Sequence, residues 1–300
     1  VANVSASAVN RLAGADRFAT AIAASNAAFP TAGSAGAVVI ARSDDYPDAL
    51  VGTTLAAAKD APLLFASGGT LLPTTEAEIQ RVLPTGRTVY LLGGTSAIPA
   101  TVATELSGLG YTVVRYAGTD RYGTALAVAD ALGDPTTVLL ATGDNFPDAL
   151  AAGPAAAHVG GVVLLTDGST LTASVSAYLR AHPGKVYAVG GPAVIAYPSA
   201  TALIGTDRYA TATAVATQFF AGPTTIGVAS GVTFADALAG GAMLAHAGGP
   251  LVLSDPNGLS APTSSYLTTN QGSITTTSLF GGTVALSAFV ETEVGIALGQ

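Results

Sequence analysis

The 300-residue chain is 49% apolar but only 10% charged, so it can bury two or three domain cores while Thr, Ser, Asn and Gly keep its surface wet. A net charge of −8 with two lysines, Lys59 and Lys185, argues against nucleic acid and against an anionic membrane surface as partners. Without cysteine there are no disulfides, thiolate nucleophiles or cysteine metal sites, and no 18-residue apolar run predicts a membrane span.

From the N-terminus, Val1-Ala2-Asn3-Val4-Ser5 has neither the basic start nor the apolar run of a signal peptide. The first distinctive string is Arg11-Leu-Ala-Gly-Ala-Asp-Arg-Phe-Ala-Thr-Ala21. Next comes Val38-Val-Ile-Ala-Arg-Ser-Asp-Asp-Tyr-Pro-Asp-Ala-Leu50, a β-branched run opening into a helical stretch. An apolar Pro62-Leu-Leu-Phe65 and a strand ending in paired glycines, Tyr90-Leu-Leu-Gly-Gly94, follow, and Ala100–Leu109 reads as a helix. All four motifs then return in order. They appear as Arg115-Tyr-Ala-Gly-Thr-Asp-Arg-Tyr-Gly-Thr-Ala125, Val138-Leu-Leu-Ala-Thr-Gly-Asp-Asn-Phe-Pro-Asp-Ala-Leu150, Val162-Val-Leu-Leu165 and Tyr187-Ala-Val-Gly-Gly191. They return once more as Leu203-Ile-Gly-Thr-Asp-Arg-Tyr-Ala-Thr-Ala212, Ile226-Gly-Val-Ala-Ser-Gly-Val-Thr-Phe-Ala-Asp-Ala-Leu238, Pro250-Leu-Val-Leu253 and Ser278-Leu-Phe-Gly-Gly282.

The repeat intervals, 104 residues from Asp16 to Asp120 and 87 from Asp120 to Asp207, are domain-sized rather than solenoid-sized. They divide the chain into modules at 1–110, 111–200 and 201–300. In the second copy the pattern predicts strands at Thr112–Tyr116, Val138–Ala141, Val162–Leu165 and Val186–Val189. It predicts helices at Arg121–Leu132, Pro147–Val159 and Thr172–Ala181. Continuous apolar strands alternating with helices indicate an α/β class with parallel sheets, one small open doubly wound sheet per module. Only 16 residues separate Gly191 from Asp207, against 26 from Gly94 to Asp120, so the last linker helix is expected to be missing or reduced to Pro198–Ala202.

In parallel sheets the loops after strands share the carboxyl edge, where this architecture binds ligands. Local chemistry gives these loop residues structural work. Asp16, Asp120 and Asp207 suit helix N-caps, and Pro47 and Pro147 suit a first helical turn. Asp48, Asp148 and Asp236 complement a helix dipole, and Arg17, Arg121 and Arg208 can reach an Asp in a neighbouring loop. In a second reading the arginines and helix N-termini face an anionic ligand group. Tyr46, Phe146 and Phe234, like Phe18, Tyr122 and Tyr209, read as core caps before sugar platforms.

Catalytic signatures are missing: there is no Gly-x-Gly-x-x-Gly, no P-loop and no Gly-x-Ser-x-Gly elbow. No cofactor is expected. His158 and His246 occupy equivalent helix ends where the first copy has Ala58, which does not suit a catalytic or metal-binding role. Asp44, Asp45, Asp48, Asp144 and Asp148 could hold a hard cation, but the third copy has Val232 and Thr233 in place of the acidic pair, and no metal is expected.

The combined motifs resemble the cell wall binding repeat 2 family, tandem repeats of Gram-positive surface proteins, across essentially the whole chain. The resemblance implies three Rossmann- or flavodoxin-like modules packed as a pseudo-threefold triangle. It further implies a secreted, non-catalytic anchor at the cell surface, binding an anionic secondary wall polymer or glycan and fused to or associated with a separate effector domain. It puts the apolar motif in the polymer groove: Pro62, Leu63 and Leu64, then Leu164 and Leu165, then Pro250 and Leu251. Together with Arg17, Arg121, Arg208, Asp48, Asp148 and Asp236 these form the expected polymer-binding set. The third copy departs most, with Ala235 for proline and no arginine before Gly205. Two alternatives stand beside the anchor: a self-assembling surface-layer or adhesin segment that binds protein, and an enzyme on a flavodoxin-like fold using the carboxylate loops.

Overall fold

A computed structural model describes residues 8–300; the signal-peptide reading of Val1–Ser5 concerns residues outside that range. The first copy comprises β1 (Ala8–Leu12), α1 (Arg17–Ala28), β2 (Ala37–Arg42), α2 (Gly52–Ala58), β3 (Leu63–Ala66), α3 (Pro73–Val82), β4 (Thr88–Leu92) and α4 (Ala100–Gly108). The second comprises β5 (Thr112–Tyr116), α5 (Arg121–Ala131), β6 (Thr137–Thr142), α6 (Pro147–His158), β7 (Val162–Thr166), α7 (Ala173–Ala181), β8 (Lys185–Val189) and α8 (Gly191–Ala196). The third comprises β9 (Thr201–Leu203), α9 (Arg208–Phe219), β10 (Thr225–Ser230), α10 (Ala235–Ala247), β11 (Leu251–Ser254), α11 (Ala261–Asn270), β12 (Thr276–Phe280) and α12 (Ala288–Ala297).

The strands form three four-stranded parallel sheets, ordered β3-β2-β4-β5, β7-β6-β8-β9 and β11-β10-β12-β1. This corrects the expectation that each sequence copy makes its own sheet. The first strand of every copy completes the sheet of the copy before it, and β1 closes the ring on β12 with Leu12 opposite Phe280. The limits at 110 and 200 mark units of sequence, and each sheet runs one strand past them. Repeat spacing fixes the period of a pattern but not its phase, so this exchange could not be read from motif order.

Inner and edge strands alike are buried: Val38 to Ala41 in β2, Val138 to Ala141 in β6 and Leu63 to Phe65 in the edge strand β3 are all 1% exposed or less. Helices cover both faces, so these strands carry apolar runs without alternation. The same burial corrects one functional expectation. Pro62, Leu63, Leu64, Leu164, Leu165, Pro250 and Leu251 lie in or against β3, β7 and β11 and are buried. They have no surface to offer a polymer; their apolar character serves the core.

The helices after the second motif, α2, α6 and α10, pack on one another around the pseudo-threefold axis. They are rich in Ala and Gly, and α6 is buried on nearly every side from Ala149 to Ala156. Small side chains let three helices meet at one line. The equivalent residues there are Thr53, Gly153 and Gly241, and a Cβ on Gly153 would sit 2.9 Å from the Thr53 Cβ. One continuous apolar core runs through all three modules.

Two local differences from expectation have plain causes. In the first copy a 3-10 turn at Ala49–Val51 precedes α2, because the Ala49 and Leu50 amides both donate to the Tyr46 carbonyl, at 2.9 and 3.1 Å. The reduced linker helix lies at Gly191–Ala196, with Pro192 in its first turn, rather than at Pro198–Ala202, where the chain is already entering β9.

Substituting Gly153→Val should overpack the axis and cost about 1–3 kcal/mol. Chemical denaturation should show a lower midpoint, recovered in part when Thr53→Gly is added. A single variant that unfolds like the native chain would mean the axis is loosely packed.

Candidate functional site

In each sheet the chain reverses its direction of winding between the first two inner strands, β2 and β4, β6 and β8, or β10 and β12. The loops there flank a crevice at the carboxyl edge, the usual ligand position of open α/β sheets. Three motifs that recur in every copy build each crevice: the loop of the Asp-Ala-Leu motif, the paired-glycine loop, and the Gly-x-Asp-Arg loop that crosses from the neighbouring copy.

Asp148 and Asp236 lie in the first turns of α6 and α10, and Asp48 stands just before the 3-10 turn leading into α2. Each carboxylate lies against the first glycine of the paired-glycine loop in its own module. Gly93, Gly190 and Gly281 have φ of 95°, 82° and 107°, and a Cβ at any of them would collide with Asp48, Asp148 or Asp236 respectively. The glycines are thus required twice, for the left-handed turn and for the carboxylate beside it.

The Gly-x-Asp-Arg loops are preorganised in the same way three times. Asp16, Asp120 and Asp207 cap α1, α5 and α9, accepting from the amides of Ala19, Gly123 and Ala210 at 2.8, 2.7 and 2.8 Å. The hydroxyls of Thr20, Thr124 and Thr211 accept from the amides of Gly14, Gly118 and Gly205 at 3.2, 3.2 and 3.1 Å. The adjacent arginines donate to the loop after the second strand of their own copy: Arg17 to the Ser43 carbonyl, Arg121 to that of Gly143, and Arg208 to that of Gly231 at 2.5 Å. Across the module boundary, the charge of Arg208 bears on Asp148 and that of Arg17 on Asp236. Arg17 and Arg208 therefore each bond a loop of their own copy and face a carboxylate of the preceding copy in the ring.

Burial pushes the Asp148 carboxyl up to about 6, with Arg208 pulling it back. Asp236 is likewise raised by burial and drawn back by the Thr20 hydroxyl and the Arg17 guanidinium. The acidic pair of the first copy is partly spent: Asp44 pairs with Arg42 at 2.8 Å, an interaction that lowers its carboxyl, and Asp45 accepts from the Tyr46 amide. Asp144 and Asp167 both face the Tyr122 hydroxyl, at 3.5 and 3.1 Å; burial and these carboxylates push that phenol up to about 12. Among the described residues no three His, Asp or Glu side chains gather as a metal site would require.

Tyr46, Phe146 and Phe234 meet one another on the axis, with ring centroids 5.5, 5.6 and 5.9 Å apart. The Tyr46 hydroxyl donates to the Asp144 carbonyl at 2.7 Å. They cap the junction of the three central helices, as the core-cap reading anticipated. His158 and His246 sit at the far ends of α6 and α10, tilted against Phe220 and Phe29 with centroids 4.6 Å apart in both pairs, and His246 Nδ1 is 3.1 Å from Asp60.

Sequence reasoning missed Arg11 and Arg115. Arg115 donates to the Gly93 and Gly94 carbonyls at 2.7 and 3.2 Å, and Arg11 to those of Gly281 and Leu286 at 2.9 and 2.8 Å while pairing with Glu291. They clasp the donated strand to the paired-glycine loop it joins. Their signal was present, an arginine five residues before the capping Asp in two copies and Ala202 in the third.

The native chain should lose stability as pH rises through about 6. Asp148 holds a proton in the folded state that the unfolded chain releases near the ordinary carboxylate value of about 4, so its contribution is full below pH ~4 and lost above pH ~6. The size is on the order of 3 kcal/mol, and Asp236 acts in the same direction. Asp148→Asn should therefore gain stability relative to the native chain between pH 4 and pH 8. A constant difference across that range would overturn the assignment.

Three comparisons bear on this site. The model of a family described as "Cell wall binding domain 2 (CWB2)" matches residues 11–103, 115–198 and 203–291. Among curated proteins, the N-acetylmuramoyl-L-alanine amidase LytC of Bacillus subtilis is 29% identical over 259 residues, covering 84% of this chain and 51% of the amidase. The amidase enhancer of the same organism is 35% identical over 158 residues, 53% of this chain and 22% of that protein. Among solved structures, Cwp8 from Clostridium difficile superposes with a TM-score of 0.85 at 27% identity, over 97% of this chain and 52% of Cwp8. Cwp6 from Clostridium difficile shares the fold with a TM-score of 0.88 at 22% identity, over 98% of this chain and 48% of Cwp6. The chain spans about half the length of the amidase and of both Cwp chains.

Proposed function

The chain belongs to the cell wall binding domain 2 family, and from that premise we propose that it is a non-catalytic anchor holding a protein to the cell wall through an anionic secondary polymer or glycan. The observation that carries this reading is the threefold recurrence of an arginine at a carboxyl-edge crevice. Arg17 is exposed and Arg121 and Arg208 are half-buried, and each spends one nitrogen on a loop carbonyl, leaving the rest of its fork available to an anion. Among the described residues none of the three forms an ion pair within 4.0 Å. The polymer-facing set is thus Arg17, Arg121 and Arg208. Asp48, Asp148 and Asp236 act beneath them by seating the glycine loops.

Such crevices also reconcile a net charge of −8 with an anionic partner, because local positive groups in a concave low-dielectric site outweigh distant surface charge. As an anchor the chain works at the cell surface beside an effector domain, in keeping with relatives about twice its length. The amidase activity in one relative's name stays with that protein.

One observation favours the second reading, a segment that binds protein. Phe289 and Ile296 are 59% and 66% exposed on one face of α12, an apolar pair with no cover. Sedimentation of the purified chain over a range of concentrations tests it: assembly without wall material, lost in Phe289→Ser with Ile296→Ser, would favour self-association.

The anchor reading is tested by pull-down on Gram-positive walls before and after acid removal of secondary polymers. Binding should be lost on stripping. It should fall at least tenfold in a folded Arg17→Ala, Arg121→Ala, Arg208→Ala triple variant. Binding that survives stripping would point to peptidoglycan itself, and absence of binding to any wall would sink the anchor.

A further inference from the structure

The three crevices share a plan but not a lining, and the difference concerns the loops that face the arginines. In the first sheet this loop carries Asp44 and Asp45, and in the second Asp144 and Asn145. In the third it carries Val232 and Thr233. There the loop after β10, the loop after β12 and the β1–α1 loop enclose an open cavity of about 620 Å³. Arg17 stands at its wall, exposed, with its guanidinium carbon 5.7 Å from the centre of the Phe234 ring. The charge of Arg17 bears on Asp44 and Asp236, but among the described residues neither carboxylate pairs with it within 4.0 Å. Of the carboxylates lining the cavity, Asp16 is committed to its helix cap and Asp236 is half-buried beside Gly281. The lips are apolar, Val232 49% and Val284 95% exposed.

Resting on the anchor reading, we propose that the ring has one principal ligand site, the crevice between the third sheet and the β1–α1 loop, and that it takes an acidic saccharide, its carboxylate or phosphate on Arg17 and a nonpolar sugar face against Val232 and Val284. The other two crevices contribute secondary contacts. Their loop carboxylates Asp45 and Asp144 repel an incoming anion, each by about 1 kcal/mol at 4 Å even in water-like surroundings, while Asp44 is taken up by Arg42. Arg121 and Arg208 are also more enclosed than Arg17. The divergence of the third copy, Val232 and Thr233 in place of the acidic pair, is what opens this crevice to negative charge.

The test titrates the full chain with the polymer released by acid from Gram-positive walls, split by anion exchange into acidic and neutral fractions. The acidic fraction should bind and the neutral fraction should bind at least tenfold more weakly. Arg17→Ala should weaken binding tenfold or more, and Arg121→Ala or Arg208→Ala only two- to threefold each. Because Arg17 also holds the Ser43 carbonyl, a second variant leaves every arginine contact in place: Val232→Asp with Thr233→Asp should lose tenfold or more while melting like the native chain. Equal losses in the three arginine variants, or full binding by the double aspartate variant, would overturn the single-site inference and leave the anchor standing. Preference for the neutral fraction would overturn the acidic ligand. An unmodified chain that binds no wall and no fraction would remove the anchor reading and this inference with it.

Discussion

The architecture depends on the donated strand. No sequence copy contains all four strands of a sheet, so no copy can complete its hydrogen bonding alone. Each inner strand β4, β8 and β12 would present an open edge, with unpaired amides and carbonyls, if the next copy were absent. The three copies solve this in a circle, the last edge being covered by the first strand of the chain. Stability is consequently shared, as the large apolar core spanning the modules also shows. In an open solenoid a repeat can be added or lost at the cost of one interface. Here adding or removing one breaks a closed ring, and three is a structural number.

Closure in turn places the functional groups. Because β1, β5 and β9 leave one sheet and the helices after them cover the next, the Gly-x-Asp-Arg loop at each crossing belongs to two modules at once. Its arginine bonds a loop of its own copy and faces a carboxylate of the preceding one. The central Ala- and Gly-rich helices bring the crossings close to a common axis, where three aromatic rings seal the junction. The arginines proposed to face the polymer are therefore held by the same contacts that hold the ring.

Much of this was legible beforehand. Strands such as Val138–Ala141 and helices such as Arg121–Leu132 fall within a residue or two of their observed limits, because long apolar runs and Asp N-caps act locally. The capping role of Asp16, Asp120 and Asp207 was equally local. The strand exchange was not, since the phase of a repeat is decided by which edge a strand meets in space. Burial of Leu63, Leu64, Leu164 and Leu165 overrode their family-implied place in a groove, and continuous apolar strands had already pointed that way. Arg11 and Arg115 stood in the recurring motif without a role because their partners, the carbonyls of distant glycine loops, have no side-chain signature.

The three seams of the ring are not equally strong. β1 and β5 each register five residues against their neighbours and are clasped by an arginine. β9 registers three residues and has Ala202 where the clasp would be. Local opening follows the weakest set of contacts, so the ring breathes first at β9, and its amides exchange with solvent ahead of those of β1 and β5. The short linker from α8 leaves the freed strand little slack, which favours reclosure over unravelling.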